Sequence, residues 1–179
     1  EARQVDQFFN DLQSLGQQLR SAGSGEEPPM LSIGGSGFLD RVLLLARRVK
    51  PEFQVVVRSG CYVTHDHIHY HQKQLASIAR AGSVLKVPQF IPALQLWSYV
   101  QSVPEAGFAL LTFGKRDSSH DLELPQPLLA IGEGCSFDQA RDLAGARIVK
   151  LNDQHAYLTL GPDQEVRVGD LVCCGISHP

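Results

Sequence analysis

The stretch Arg58-Ser59-Gly60-Cys61-Tyr62-Val63-Thr64-His65-Asp66 directly follows the β-branched run Phe53-Gln54-Val55-Val56-Val57. A short apolar run that breaks at glycine is typical of a buried strand that ends in a functional turn. The same arrangement occurs earlier in the chain, where Met30-Leu31-Ser32-Ile33 is followed by Gly34-Gly35-Ser36-Gly37. Two such strands predict a pair of anion-binding turns, because in (β/α) barrels the loops after the last two strands often hold a phosphate. We therefore expect a cofactor phosphate at these turns.

The first part of the chain alternates between helical and strand patterns. Apolar residues recur at helical spacing from Val5 to Leu19, and Gly82 is placed as the C-cap of the last predicted helix. The α-β-α-β-α order that results is typical of a parallel α/β fold. The pattern predicts helices over residues 5–22, 38–49 and 66–81 and strands over residues 30–33 and 53–57.

The second part of the chain is dominated by short strands and turn residues. Turn signals such as Gly132-Glu133-Gly134 and Gly161-Pro162-Asp163 separate the strand patterns. This pattern of short strands separated by turns predicts an antiparallel β-barrel or sandwich domain. The predicted domains are residues 1–82 and residues 83–179, with the boundary near 82–84. The predicted strands cover residues 94–100, 107–112, 146–151, 156–160 and 170–175.

Composition excludes several classes of protein. Hydrophobic residues make up 43% of the 179, which supports a folded core. A net charge of −3 lacks the basic character of a nucleic-acid-binding protein. No apolar run approaches the roughly 18 residues of a membrane span, and the polar start at Glu1 does not resemble a signal peptide. The four cysteines match no zinc or redox spacing, so we expect reduced thiols and a cytoplasmic protein.

Several motifs, in this order and spacing, resemble one family of enzymes. They extend over nearly all of the chain, and the last of them reaches its final residues. The motifs are Leu31-Ser32-Ile33-Gly34-Gly35-Ser36, Arg58-Ser59-Gly60-Cys61-Tyr62-Val63 with Asp66, Gly114-Lys115-Arg116-Asp117 with Asp121, Lys150-Leu151-Asn152-Asp153-Gln154-His155, and Val168-Gly169-Asp170 leading to Ile176-Ser177-His178-Pro179. The chain is thus similar to the C-terminal part of the D-threonine aldolase and D-serine dehydratase family of pyridoxal-phosphate enzymes, which have an alanine-racemase-like fold (fold type III).

The resemblance implies a two-domain enzyme, with a (β/α) barrel that holds the cofactor and a β domain beside it. Residues 1–82 would be the last strands and helices of the barrel. The implied substrate is a small-molecule D-β-hydroxy amino acid such as D-serine or D-threonine, and the implied assembly is a homodimer. The Schiff-base lysine of the family lies in earlier strands of the barrel, so we assign no catalytic residue here and expect this stretch alone to be inactive. The choice between dehydratase and aldolase stays open.

The resemblance and the glycine pattern together suggest which residues hold the cofactor. Backbone N–H groups of Gly34 and Gly35 and the hydroxyl of Ser36 can cradle a phosphate in front of a helix. Ser59, Gly60 and Tyr62 would form the second turn. The alternative for the glycines is a purely structural turn, and the alternative for Tyr62 is a packing role with a locally bonded hydroxyl.

The histidines offer a second group of candidates. His65, His67, His69 and His71 would share one face of a strand, but we interpret the segment as a loop that enters a helix, which separates them. In the resembling enzymes a histidine near the C-terminus binds a divalent metal together with a second ligand two residues further on. His178 is therefore the expected metal ligand, with zinc or manganese as the metal.

Two alternatives to this interpretation stay open. One is a metal-free racemase or decarboxylase of the same fold. The other is a non-catalytic β module that binds a partner, in which the glycine turns are only structural, because a fold does not by itself imply a function.

Overall fold

A computed structural model describes residues 1–23, 27–50, 52–58 and 60–178, without the side chain of Ser36. The chain divides into two compact units, and the division falls inside one helix. The first unit contains residues 1–63 and 72–90, and the second contains residues 64–71 and 91–179. None of the helices in the described ranges is long and apolar enough to cross a bilayer.

The first unit begins with the predicted order of helices and strands. The parallel pairing of its two strands, with Met30 opposite Gln54 and Ile33 opposite Val57, matches the predicted α/β arrangement. Gly82 has a φ of 53° and its N–H donates to the Ile78 carbonyl, which confirms the predicted C-cap. The elements are α1 (Ala2–Ser21), β1 (Met30–Ile33), α2 (Leu39–Val49), β2 (Gln54–Val57) and α3 (His69–Ala81).

Two apolar clusters that share α2 hold the first unit together. The first cluster packs α1 and α2 against β1 and β2, with Phe9, Val42 and Phe53 among its buried members. The second joins α2 to α3 through Leu39 and Ala81. The inward face of α2 also includes Leu45 and Val49. On α1 the predicted apolar stripe is only partly used, because Phe8, Leu15 and Leu19 stay exposed.

The strands β1 and β2 leave one face of their sheet uncovered by the described residues. Leu31, Val55 and Val57 pack into the first cluster, whereas Met30 is 65% exposed and Val56 is 37% exposed. Parallel sheets are normally covered on both faces. A two-stranded parallel sheet with one uncovered face, on which Met30 and Val56 lie beside Ser32 and Gln54, therefore resembles a piece of a larger sheet.

The second unit is a curled, seven-stranded antiparallel sheet, which confirms a β-barrel type of architecture. The strand order is β6-β5-β9-β3-β4-β8-β7, and β5 approaches β7 from the other side of the core. The core lies inside this curl, with Val100, Leu111, Leu158 and Val172 fully buried. The strands are β3 (Gln95–Glu105), β4 (Phe108–Leu111), β5 (Gln126–Ile131), β6 (Arg141–Asp142), β7 (Arg147–Leu151), β8 (Ala156–Thr159) and β9 (Leu171–Gly175).

The sequence prediction missed β5 and β6. Pro127 interrupts β5, and its pairing with β9 shifts register between Pro127 and Leu129, so the strand lacks a clean alternating pattern. β6 is only two residues long. The architecture was predicted to change near residues 82–84; in the structure the first unit continues to Phe90 and the segment 64–71 groups with the second.

Candidate functional site

The two predicted turns lie side by side at one edge of the β1–β2 sheet. Ile33 and Val57 are the last paired residues of the two parallel strands, and the N–H of Arg58 donates to the Ile33 carbonyl at 2.8 Å. Each turn continues into a short 3-10 helix, Ser36–Phe38 after β1 and Gly60–Tyr62 after β2, and these two helices are in contact. The carboxyl edge of parallel strands is the usual place for a bound ligand in α/β sheets.

The first turn is closely packed around its glycines. Gly35 has a φ of 156°, and a Cβ there would lie 3.0 Å from Cγ2 of Val42. A Cβ on Gly34 would lie 3.5 Å from Nη2 of Arg58. The turn leads into α2, and because the first N–H groups of a helix have no partner within the helix, a turn in this position can bind an anion. Gly34, Gly35 and the backbone of Ser36 thus lie between β1 and α2, and their role in binding a phosphate stays a prediction.

The second turn provides one glycine and one aromatic ring. Gly60 has a φ of 37°, a conformation that favours glycine. The ring of Tyr62 stacks on Phe90 with centroids 4.9 Å apart and planes 13° apart, so packing in the second apolar cluster accounts for this ring. Ser59, the third residue predicted here, lies outside the described residues.

The sequence analysis missed a lysine and an ion pair beside the first turn. The Lys73 side chain crosses Gly37, with Cδ 3.3 Å and Nζ 3.8 Å from the position of a Cβ there. Asp40 is buried and is bound by Arg80, which also donates to the Gly37 carbonyl at 2.8 Å. No local sequence signal connects these residues, because α3 meets the turn only in the folded chain.

The histidine segment 65–71 belongs to the second unit; residues 65–68 form a loop, and α3 begins at His69 rather than at residue 66 as predicted. His65 has a φ of 49°, in the left-handed region that residues other than glycine rarely adopt. Asp66 is buried, and its Oδ1 accepts hydrogen bonds from the N–H groups of Ile68 and Tyr70, both at 2.9 Å. This carboxylate therefore caps the start of α3.

Burial lowers the pKa of two histidines in this segment, His65 and His67. The nearby charge of Asp66 opposes this lowering of the pKa, and His71 adds to it. The rings of His65 and His71 are 6.1 Å apart, in an edge-to-face arrangement. His65 and His67 are therefore neutral at pH 7.

His178 does not form a metal site with the described residues. Its Nδ1 lies 3.5 Å from Oδ2 of Asp121, and its ring is 5.7 Å from that of Tyr70. Within residues 1–23, 27–50, 52–58 and 60–178, no group of three or more His, Cys, Asp or Glu side chains could hold a metal ion. One imidazole and one exposed carboxylate are fewer ligands than a tightly bound zinc or manganese needs, so the metal role of His178 stays a prediction.

Two of the motif segments, residues 114–117 and 150–155, are joined by backbone hydrogen bonds in the second unit, here called the β unit. The N–H of Lys115 donates to the Asn152 carbonyl at 2.9 Å, and that of Arg116 donates to the Asp153 carbonyl at 3.2 Å. The approach is so close that a Cβ on Gly114 would lie 2.6 Å from the Asp153 carbonyl oxygen. The glycine of this motif is therefore explained by close backbone contact.

Two of the four cysteines are buried in the core of the second unit. None of the four forms a disulfide, and Cys173 and Cys174 are fully buried in β9. Burial raises the pKa of Cys173 to about 11 and raises that of Cys174 further. Such thiols stay protonated and are poor nucleophiles.

Comparison with known proteins agrees with the resemblance. Residues 93–179 match the family model of a putative serine dehydratase domain. The structure is similar to the crystal structure of D-threonine aldolase from Filomicrobium marinum, with a TM-score of 0.55 and 22% sequence identity over 83% of this chain and 33% of that chain. The chain thus spans a third of that aldolase, and none of the curated proteins matches it. Residues 93–179 are therefore similar to the serine dehydratase domain family, in agreement with the resemblance predicted from sequence.

Proposed function

We propose that this chain is the C-terminal part of a pyridoxal-phosphate enzyme that acts on D-β-hydroxy amino acids such as D-serine or D-threonine. The observation that carries the proposal is the pair of glycine turns side by side at the carboxyl edge of β1 and β2. The serine dehydratase domain that follows them and the similarity to a D-threonine aldolase structure support the same conclusion.

In this proposal β1 and β2 are the last strands of a (β/α) barrel. The uncovered face of the β1–β2 sheet, on which Met30 is 65% exposed, would face the interior of that barrel. Active sites of such barrels lie at the carboxyl ends of the strands, which is where both glycine turns are found. The remaining strands, and the lysine that binds the cofactor covalently, would come from the rest of the full-length protein, so this stretch alone would be inactive.

The residues at the turns fit a phosphate group. Gly34, Gly35 and Ser36 would offer backbone N–H groups in front of α2, and Gly60 would offer a second backbone segment free of a side chain. Arg58 and Lys73 bring positive charge to the same turns. These groups would fix the phosphate and so orient the ring of the cofactor, with Tyr62 beside it.

Bound pyridoxal phosphate supplies an electron-withdrawing ring that stabilises negative charge on the substrate. The described residues of this chain contribute binding and orientation to that chemistry. The described residues around His178 do not form a complete metal site, so the proposal contains no step that depends on a metal.

The test is turnover by the full-length protein supplied with pyridoxal phosphate. D-serine and D-threonine are the substrates, and L-serine and L-threonine are the matched controls. A dehydratase would release ammonia and a keto acid, whereas an aldolase would release glycine and an aldehyde. Racemisation without these products would instead indicate the racemase alternative, and a protein that neither binds the cofactor nor turns over any of the four amino acids would refute the proposal.

A further inference from the structure

A buried ion pair joins α2 and α3 next to the first glycine turn. Asp40 is 1% exposed and lies in the first turn of α2. Arg80, near the end of α3, binds it through two contacts, Nη2 to Oδ1 at 2.8 Å and Nε to Oδ2 at 3.1 Å. This bidentate geometry is the strongest form of an arginine–carboxylate pair, and it offsets the desolvation of a buried carboxylate.

The same arginine fixes the backbone of the turn. Its Nη2 donates to the Gly37 carbonyl at 2.8 Å, and Oγ of Ser77 donates to the same oxygen at 3.2 Å. The N–H of Phe38 donates to the Gly35 carbonyl at 2.8 Å. Glycine backbones are intrinsically mobile, so these three contacts restrict the directions in which the N–H groups of the turn can point.

The pair also sets the charge at the start of α2. The N-terminal end of a helix favours an anion, but the carboxylate of Asp40 occupies the same helix turn and would repel a second anion. Arg80 makes the two close contacts to that carboxylate, whereas Nε of Arg41 lies 3.6 Å from its Oδ2. With Arg80 in place, the turn can accept a phosphate dianion; without it, a buried carboxylate that keeps only the longer contact to Arg41 would lie close to the ligand.

We infer that the Asp40–Arg80 pair is the positioning element that sets the affinity of the first glycine turn for the phosphate of the cofactor. Arg80 acts through the Gly37 carbonyl and through the charge of Asp40, without touching the phosphate itself. The inference rests on the proposed function, because it assumes that the turn binds the phosphate of pyridoxal phosphate.

The experiment compares two ligands that differ only in the phosphate group. Dissociation constants for pyridoxal phosphate and for pyridoxal are measured by absorbance titration of the full-length protein. Arg80→Gln should weaken binding of pyridoxal phosphate by about tenfold or more and leave pyridoxal binding nearly unchanged. Arg80→Lys keeps the charge but loses the bidentate contact, so its loss should be intermediate. Arg47→Gln, at the other end of α2 on an exposed residue, is the matched control and should change neither constant.

The double variant Asp40→Asn/Arg80→Gln separates charge from structure. It removes the buried carboxylate together with its partner, so it should recover part of the affinity that Arg80→Gln loses. It also leaves no unpaired buried charge, and it serves as the test if Arg80→Gln does not fold. Its preference for pyridoxal phosphate over pyridoxal should still lie below that of the wild type, because the Gly37 carbonyl has lost its shorter hydrogen bond and keeps only the one from Ser77.

Three results would count against the reasoning, and they can be told apart. Equal losses for pyridoxal phosphate and pyridoxal in Arg80→Gln would show a general structural role and overturn the inference. An unchanged preference in both the single and the double variant would overturn it as well. A wild-type protein that does not prefer pyridoxal phosphate over pyridoxal would refute the phosphate site, and with it the proposed function, before any variant is compared.

Discussion

Replacement of Gly114 by alanine should strongly destabilise the β unit. The new Cβ would lie 2.6 Å from the carbonyl carbon and oxygen of Asp153, and still closer to the carbonyl oxygen of Asn152. These are backbone atoms that cannot rotate away, so the two segments must separate. Separation breaks the hydrogen bonds from Lys115 to Asn152 and from Arg116 to Asp153. Two backbone bonds at about 1 kcal/mol each, with about 1–3 kcal/mol of overpacking, give a loss of about 3–5 kcal/mol in the free energy of unfolding.

Urea unfolding of the full-length protein measures this loss, and Gly134→Ala is the matched control. Gly134 has a φ of 72° and no atom within 4 Å of its Cβ position. Alanine there meets no steric clash, so it should lower the free energy of unfolding only by the strain of a left-handed backbone at alanine, about 1–2 kcal/mol. We expect Gly114→Ala to lose clearly more than Gly134→Ala. A loss for Gly114→Ala equal to or below that of the control would refute the close approach of the two segments.

Three further predictions follow from single contacts. Asp66→Ala should cost about 1–2 kcal/mol of stability in thermal unfolding, because two N–H groups at the start of α3 lose their acceptor, while Asp66→Asn should retain most of it; equal losses would contradict the capping role. Burial lowers the pKa of His65 and His67 below the usual 6.5. As the pH falls through 6.5, the unfolded chain therefore binds more protons than the folded chain, and the free energy of unfolding should decrease. A double variant, His65→Gln/His67→Gln, that keeps the same pH dependence would argue against this cause. Gly16→Ala should destabilise α1 despite the better helix propensity of alanine, since the new methyl group would overlap the ring of Phe53; a gain in melting temperature would contradict that packing.

The strands and helices of the first unit follow from local patterns. Met30–Ile33 is apolar and bounded by turn residues, and the structure forms β1 over the same residues. α2 begins and ends within one residue of its predicted range. α3 begins later than predicted, at His69, because Asp66 binds the N–H groups of Ile68 and Tyr70 from a loop that precedes the first helical residue.

Parts of the candidate site could also be predicted. Two parallel strands that each end at a glycine must bring their turns to one edge, and Gly34 and Gly60 lie there. The Asp40–Arg80 pair could not be predicted, since the two residues are 40 positions apart and no local period connects them. The metal role of His178 came only from the resemblance, and the described residues offer no ligand set that supports it.

The visible absorbance of the full-length protein with added pyridoxal phosphate shows whether the protein binds this cofactor. We expect a visible band that survives gel filtration and disappears on reduction with borohydride, because the proposed cofactor is bound covalently through a lysine. A protein that remains colourless after this treatment and retains no pyridoxal phosphate would contradict the account, and the glycine turns would then be structural elements of a non-catalytic protein.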